Sequence, residues 1–164
     1  EMRYFMHDII REHPSDDNIS LLFDKSEMLY RFVLMYYNYC IKTQDYGFGN
    51  EVTMVEAHTV TMINDHPGIT ISQLASHYNR TTSAISQLAT KLEKKGLITR
   101  KMISNLKNIH LYTTPEGDNL SKLHKIYDSN EVIETLHTLS LHCTPQEVDA
   151  FFKVLQEYIA MLKN

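Results

Sequence analysis

The apolar positions of this 164-residue chain change period along its length, and the changes mark its elements. Between Ser20 and Asp45, residues Leu21, Leu22, Met28, Leu29, Phe32, Val33, Met35, Tyr36 and Tyr39 form a broad apolar band at helical spacing. This predicts a long helix, closed by Asp45-Tyr46-Gly47-Phe48-Gly49-Asn50, with His13-Pro14-Ser15-Asp16-Asp17-Asn18 ahead of it as a loop. A second helix is predicted over Met54–Asn64, opened by the capping box Thr53-x-x-Glu56, with Val55, Ala57, His58, Val60 and Met62 facing inward. After the turn His66-Pro67-Gly68, Ile69 reads as a brief strand. Thr70-x-x-Gln73 then opens a short helix through Tyr78, with Ile71, Leu74 and Ala75 inward. Thr81–Lys95 is the next helix and stops at Gly96. Its apolar residues Ile85, Leu88, Ala89 and Leu92 share one side; Ser83, Ser86, Gln87, Thr90, Lys91 and Lys94 share the other. A helix this short buries one stripe and offers the rest to a partner.

The period then shortens. Leu97–Ile103 and Ile109–Thr113 alternate as strands around the loop Ser104–Asn108. Thr114-Pro115 starts another helix, with Thr as N-cap and Pro in the first helical position, running to about His142, with Asp128-Ser129-Asn130 the one stretch that could kink it. Thr144-x-x-Glu147 opens the last helix, to Leu162, whose stripe is Phe151, Val154, Leu155, Tyr158 and Leu162. The predicted fold class is mainly α with a small β-hairpin: a winged helix-turn-helix over 51–114, flanked by an N-terminal segment and long helix over 1–50 and C-terminal helices over 115–164. The wide apolar stripes of the outer helices need cover, and a second copy of the chain is the simplest source of it.

Composition narrows the function. Hydrophobic content of 43% is ample for a core, and no apolar run is long enough to span a bilayer, so no membrane partner is expected. The start, EMRYFMHDII, lacks the features of a secretory signal. Two distant cysteines without CxxC spacing fit a reducing, cytoplasmic setting. The net charge of −4 is unevenly spread. His66–Thr114 holds seven Lys and Arg against Glu93 alone, so an acidic chain carries a cationic footprint on its predicted winged helix.

Hydroxyls, an amide and ammonium groups on one convex helix face suit a DNA groove. Ser83, Ser86 and Gln87 are candidates for base edges, Gln87 having the donor–acceptor pair that matches adenine. Thr82, Lys91, Arg100, Lys101 and Lys107 are candidates for phosphates, and Thr70 and Ser72 for backbone contacts from the preceding helix. Thr81 reads as a cap. The chain has no glycine-rich phosphate loop, no G-x-S-x-G and no nucleophile–base pair, so no catalytic residue and no cofactor is expected. Among nine histidines, His124, His137 and His142 with Cys143 do not fall into ligand spacing, and no metal site is expected. Cys40 reads as a small buried filler.

The run Leu92-Glu93-Lys94-Lys95-Gly96-Leu97-Ile98-Thr99-Arg100, the segment Thr82-Ser83-Ala84-Ile85-Ser86, and the closing Thr113-Thr114-Pro115-Glu116-Gly117 together resemble the MarR family of bacterial transcription regulators. The resemblance extends over roughly Leu21 to Leu162. It implies a homodimer whose terminal helices interlock, with two winged lobes on a near-palindromic duplex, usually acting as a repressor released by a small-molecule effector. It also implies an effector pocket, for which Tyr36, Tyr39, Cys40, His58 and Met62 are candidates. One position departs from the family pattern: where Asp-x-Arg is usual at the wing, this chain has Asn105-Leu106-Lys107, and Lys lacks the planar fork of Arg. The altered wing and acidic remainder leave a second reading open, a winged helix that binds protein rather than DNA.

Overall fold

The computed structural model describes residues 16–47, 49, 51–102 and 109–162. The chain divides after Lys42 into two units. The first contains helix α1, Asp16–Cys40. The second contains strands β1 (Thr43–Gln44) and β2 (Val52–Thr53), helices α2 (Met54–Asp65), α3 (Ile71–His77) and α4 (Thr82–Lys94), strands β3 (Ile98–Met102) and β4 (Ile109–Thr113), and helices α5 (Pro115–Leu139) and α6 (Pro145–Leu162). This is the mainly helical fold with a small hairpin that the periodicity predicts.

The first helix differs from expectation at both ends. Asp16–Asn18, expected in a loop, form its first turn, and it ends at Cys40 rather than Asp45. The early stop follows from the glycines beyond it. Asp45 Oδ1 accepts from the backbone N–H groups of Gly47 (2.9 Å) and Gly49 (3.3 Å), both glycines at positive φ. The chain turns back there, and Thr43–Gln44 pairs antiparallel with Val52–Thr53. Along α1 the apolar band is exposed: Phe23, Met28, Phe32, Val33, Met35 and Tyr36 all face solvent.

The core of the second unit is drawn from every element of the winged lobe. Val52, Ala57, Val60 and Ile63 meet Leu74, Ala75, Ile85, Ala89, Leu92, Leu97, Ile98, Leu111 and Leu120, all buried. The inward face of α2 is therefore centred on Ala57, Val60 and Ile63; Val55 and Met62 are half-buried and His58 is exposed, a rotation from the expected face. The three T-x-x-E/Q boxes close reciprocally: Thr53 with Glu56, Thr70 with Gln73, and Thr144 with Glu147. Thr81 caps α4 by accepting from Ala84 N. Strands β3 and β4 pair antiparallel, with Ile98 opposite Thr113 and Met102 opposite Ile109. The brief strand expected at Ile69 is present as backbone bonds between Leu111 N and Ile69 O and between Gly68 N and Leu111 O, with a bridge from Thr70 to His110.

Two motifs in the family-like run have a local physical cause. Helix α4 ends in a Schellman motif: Leu97 N donates to Leu92 O and Gly96 N to Glu93 O, with Gly96 at φ +71° and both leucines buried. Thr114 then binds this corner, its hydroxyl donating to Gly96 O at 2.6 Å while accepting from Gly117 N at 3.1 Å. Gly117 is buried against Leu97, and a Cβ there would lie 2.0 Å from the Leu97 carbonyl oxygen. The glycine of T-P-E-G thus sets how closely α5 can approach the lobe.

Helix α5 runs through Asp128–Asn130 without a break. Ser129, in the stretch that could kink, turns its hydroxyl onto Lys125 O at 2.7 Å, which keeps the helical path. It ends at Leu139 because Ser140–Cys143 form a tight turn, with Cys143 N donating to Leu139 O. Only its first half is buried; Val132, Ile133, Leu136 and Leu139 are exposed, as is the whole stripe of α6. Replacing Gly117 by Ala is expected to destabilise the second unit by about 3 kcal/mol, since backbone rather than a mobile side chain blocks the added methyl. Thermal unfolding followed by circular dichroism measures this, and an unchanged midpoint contradicts the assigned contact.

Candidate nucleic-acid interface

The polar face of α4 is presented by a capped and clamped helix. Thr82, Ser83, Gln87, Thr90, Lys91 and Lys94 are exposed, whereas Ser86 and Ala84 are half-buried. Among the described residues, the side chains of Ser83, Gln87 and Lys94 enter no hydrogen bond or ion pair, so their donors and acceptors are available to a partner. Ser72 is exposed in the first turn of α3. Thr70 is buried and its hydroxyl is engaged by Gln73, so it positions α3. Lys101 is exposed on β3 with its ammonium 4.8 Å from the centre of the Tyr112 ring. Asn105 and Lys107, expected at the hairpin tip, lie outside the described residues.

The two remaining cationic candidates are held internally. Arg100 Nη2 donates to Ser86 O at 3.0 Å and to Thr90 Oγ1 at 2.7 Å, and its Nε lies 3.3 Å from Glu93 Oε2. The guanidinium therefore braces β3 against α4, using the several donors that Arg fixes in one plane. Lys91 reaches Glu56 Oε1 at 3.1 Å, and Lys95 reaches Glu56 Oε2 at 3.0 Å and Glu51 O at 3.1 Å.

Glu56 is the residue whose role the sequence reading missed. It was recognised only as the second half of a capping box. Its side chain is 2% exposed, and besides the two ammonium groups its carboxylate accepts from Thr53 N at 2.8 Å. Burial pushes its pKa up, but the Thr53 N–H and the Lys95 and Lys91 ammonium groups outweigh burial and hold it below its ordinary value. The carboxylate thus ties the start of α2 to the last turns of α4. Its lysine partners are more than thirty residues away, and no spacing rule points to them.

The residues expected to line an effector pocket fall in different units. Tyr36, Tyr39 and the half-buried Cys40 belong to α1, where the Phe32 and Tyr36 rings stack at 5.9 Å. His58 and Met62 belong to α2. Cys40 is not the fully buried filler expected. His58 instead meets two residues of α5, His124 and Asp128.

Comparison with known proteins places the lobe. The MarR family model matches residues 52–105, the segment from β2 into the wing. Over this segment the chain is similar to the MarR family. A relative from Bacillus subtilis (strain 168), named an uncharacterized HTH-type transcriptional regulator YhjH, is 32% identical over 84 residues. That match takes in 51% of this chain and 48% of the relative, so the chain spans about half the length of the curated relative it matches. Among solved structures, the fold is similar to Streptococcus pneumoniae FabT in complex with DNA, with a TM-score of 0.64, 20% identity, and 88% of this chain and 97% of that one covered. It is also similar to a MarR family transcriptional regulator from Listeria monocytogenes complexed with a 26mer DNA, with a TM-score of 0.58, 17% identity, and coverage of 93% and 91%. At these identities the structural likeness speaks for the fold. Within the matched segment, the helix-turn-helix is α3–α4 and the wing is β3–β4. Among the described residues, no helix is long and apolar enough to cross a membrane.

Replacing Glu56 by Gln is expected to cost the lobe about 2–3 kcal/mol at neutral pH, because two lysines lose their shared anion while the backbone acceptor is kept. A carboxyl held below its ordinary value stabilises the folded state above that value and ceases to do so as pH falls through the folded one. Wild-type stability should therefore decline below the ordinary value of 4.5, and the Gln variant should show a shallower decline. Parallel urea titrations across acid pH check both.

Proposed function

We propose that the chain is a dimeric, sequence-specific DNA-binding transcription regulator. The observation that carries this reading is the outward face of α4, where Ser83, Gln87 and Lys94 stand without internal partners on a helix fixed by Thr81, Gly96, Arg100 and Glu56. Pre-ordering of a polar face fits readout of base edges, since little side-chain and backbone freedom remains to be lost on binding. Ser83, Ser86 and Gln87 read bases; Thr82, Lys94 and Lys101 hold phosphates, with Ser72 adding a contact from α3. Lys91 and Arg100 act chiefly by keeping α4 in place. The relatives named above, regulators and DNA complexes among them, support the same class.

A dimer accounts for the exposed apolar residues of α1, the second half of α5 and α6. Large apolar patches of this kind on a soluble chain mark contact surfaces. Two lobes would then meet successive major grooves of a near-palindromic site about one helical turn apart, ~34 Å. Repression, release by a small effector and a cytoplasmic setting complete the reading. The rival, a winged helix that binds protein, is favoured by one observation: Lys91, Lys95 and Arg100 are turned inward and leave fewer open cations than the sequence counts.

Selection of duplexes by the purified full chain, followed by binding at varied salt, separates the two. The DNA reading expects an enriched two-fold site and a log–log salt slope of about −0.9 per phosphate contacted. No enrichment, or a flat response, supports the rival. Gln87→Ala is expected to lower affinity for the selected site by about 1–3 kcal/mol while leaving random duplex unaffected. Lys94→Ala should weaken both alike. Equal losses for Gln87→Ala on both duplexes exclude base readout by that amide.

A further inference from the structure

We propose that His58, His124 and Asp128 form a binding site for a borderline divalent transition-metal ion, with Zn²⁺ the best match, at the junction of α2 and α5. One donor atom from each residue lies within 4.8 Å of the other two. His58 Nε2 is 3.5 Å from Asp128 Oδ2, and His124 Nδ1 is 3.3 Å from Asp128 Oδ1. The imidazole rings face each other at right angles, their centroids 4.5 Å apart. His124 and Asp128 are four residues apart on α5, so both project from one face of the helix, and α2 brings His58 across to them.

His124 is an independent sign of a ligand. It is 1% exposed, yet its Nε2 has no hydrogen-bond partner among the described residues, and the 3.3 Å approach of its Nδ1 to Asp128 does not have hydrogen-bond geometry. An imidazole buried in that condition is costly unless something accepts its lone pair. Two imidazoles and one carboxylate are a donor set suited to Zn²⁺ and its neighbours; Mg²⁺ and Ca²⁺ prefer all-oxygen shells. Bonds of about 2.0–2.2 Å around a tetrahedral ion place ligand atoms ~3.3 Å apart, a contraction that rotation of the half-exposed His58 supplies. The exposed edge at His58 admits the ion, and water completes the fourth position.

The site's position gives the ion a consequence, and this part rests on the DNA-binding reading. Helix α2 holds α4 through Glu56, whereas α5 carries exposed apolar residues beyond Asp128. An ion shared by α2 and α5 pins the lobe to the helix that leads away from it. DNA affinity then depends on the metal through its different affinity for the DNA-competent and other arrangements.

Titration of metal-free, untagged full chain with Co²⁺ alone tests the site. The expected result is a visible d–d band that saturates at one ion per chain and is abolished by added Zn²⁺. His58→Ala and Asp128→Asn change partly exposed residues, and each should weaken Co²⁺ binding by about 100-fold or more while keeping the wild-type circular dichroism. His142→Ala, at an exposed turn, should leave binding unchanged. Absence of a saturable band in the wild type, or a band that survives both substitutions, overturns the site. For the coupling, Zn²⁺ should change affinity for the selected duplex at least ~10-fold in the wild type and not in His58→Ala. Equal affinity with and without Zn²⁺ overturns the coupling. A chain that binds no duplex in either condition signals failure of the DNA reading instead, and the cobalt titration, which contains no DNA, still decides the site.

Discussion

A carboxylate taken out of water must be met by charge and hydrogen bonds, or it takes up a proton. Glu56 meets that demand with one backbone N–H at its own helix start and two ammonium groups from the end of α4. The arrangement fixes more than a charge. It sets the separation of α2 and the end of α4, because neither helix can shift without leaving the carboxylate short of a partner. Arg100 performs the matching task from the wing, holding the Ser86 carbonyl and the Thr90 hydroxyl. The polar face of α4 is therefore held at two of its sides by charged groups that do not themselves face outward.

That arrangement reassigns residues. Basic residues on a candidate DNA-binding helix invite the reading that each meets a phosphate. Here position along the helix sorts them. Lys94 is directed outward; Lys91 and Lys95 approach an anion within the protein. Interaction with the helix dipole also favours cations in this last turn, so the lysines have two local reasons to be there before any partner is considered. What remains for a ligand is a smaller, more polar set in which Gln87 and the serines weigh more.

Local chemistry was legible in the sequence, and distant pairing was not. The T-x-x-E/Q boxes at Thr53, Thr70 and Thr144, the cap at Thr81, the stop at Gly96 and the Thr-Pro start at Thr114 all act over a few residues, and all were placed from spacing. The errors at α1 arose where a tertiary demand, the pairing of Thr43–Gln44 with Val52–Thr53, overrode a continuing apolar band. The helix expected through Asp128–Asn130 is unbroken because Ser129, a residue type that favours turns, satisfies its hydroxyl within the helix. The partners of Glu56 and Arg100, and the meeting of His58 with His124 and Asp128, stayed hidden for one common reason: they join elements that only folding brings together.

The unbroken course of α5 has a mechanical meaning. At 1.5 Å per residue its 25 residues make a rod about 37 Å long. Its near end is cemented into the lobe by Gly117 and Leu120, and Val132, Ile133, Leu136 and Leu139 in its far half are exposed. A rod anchored at one end works as a lever: a tilt of about 5° at the base carries the tip through about 3 Å. A kink at Asp128–Asn130 would have absorbed such a swing as a hinge; the straight helix passes it on amplified, from a shift of atomic size to one comparable with the width of a side chain.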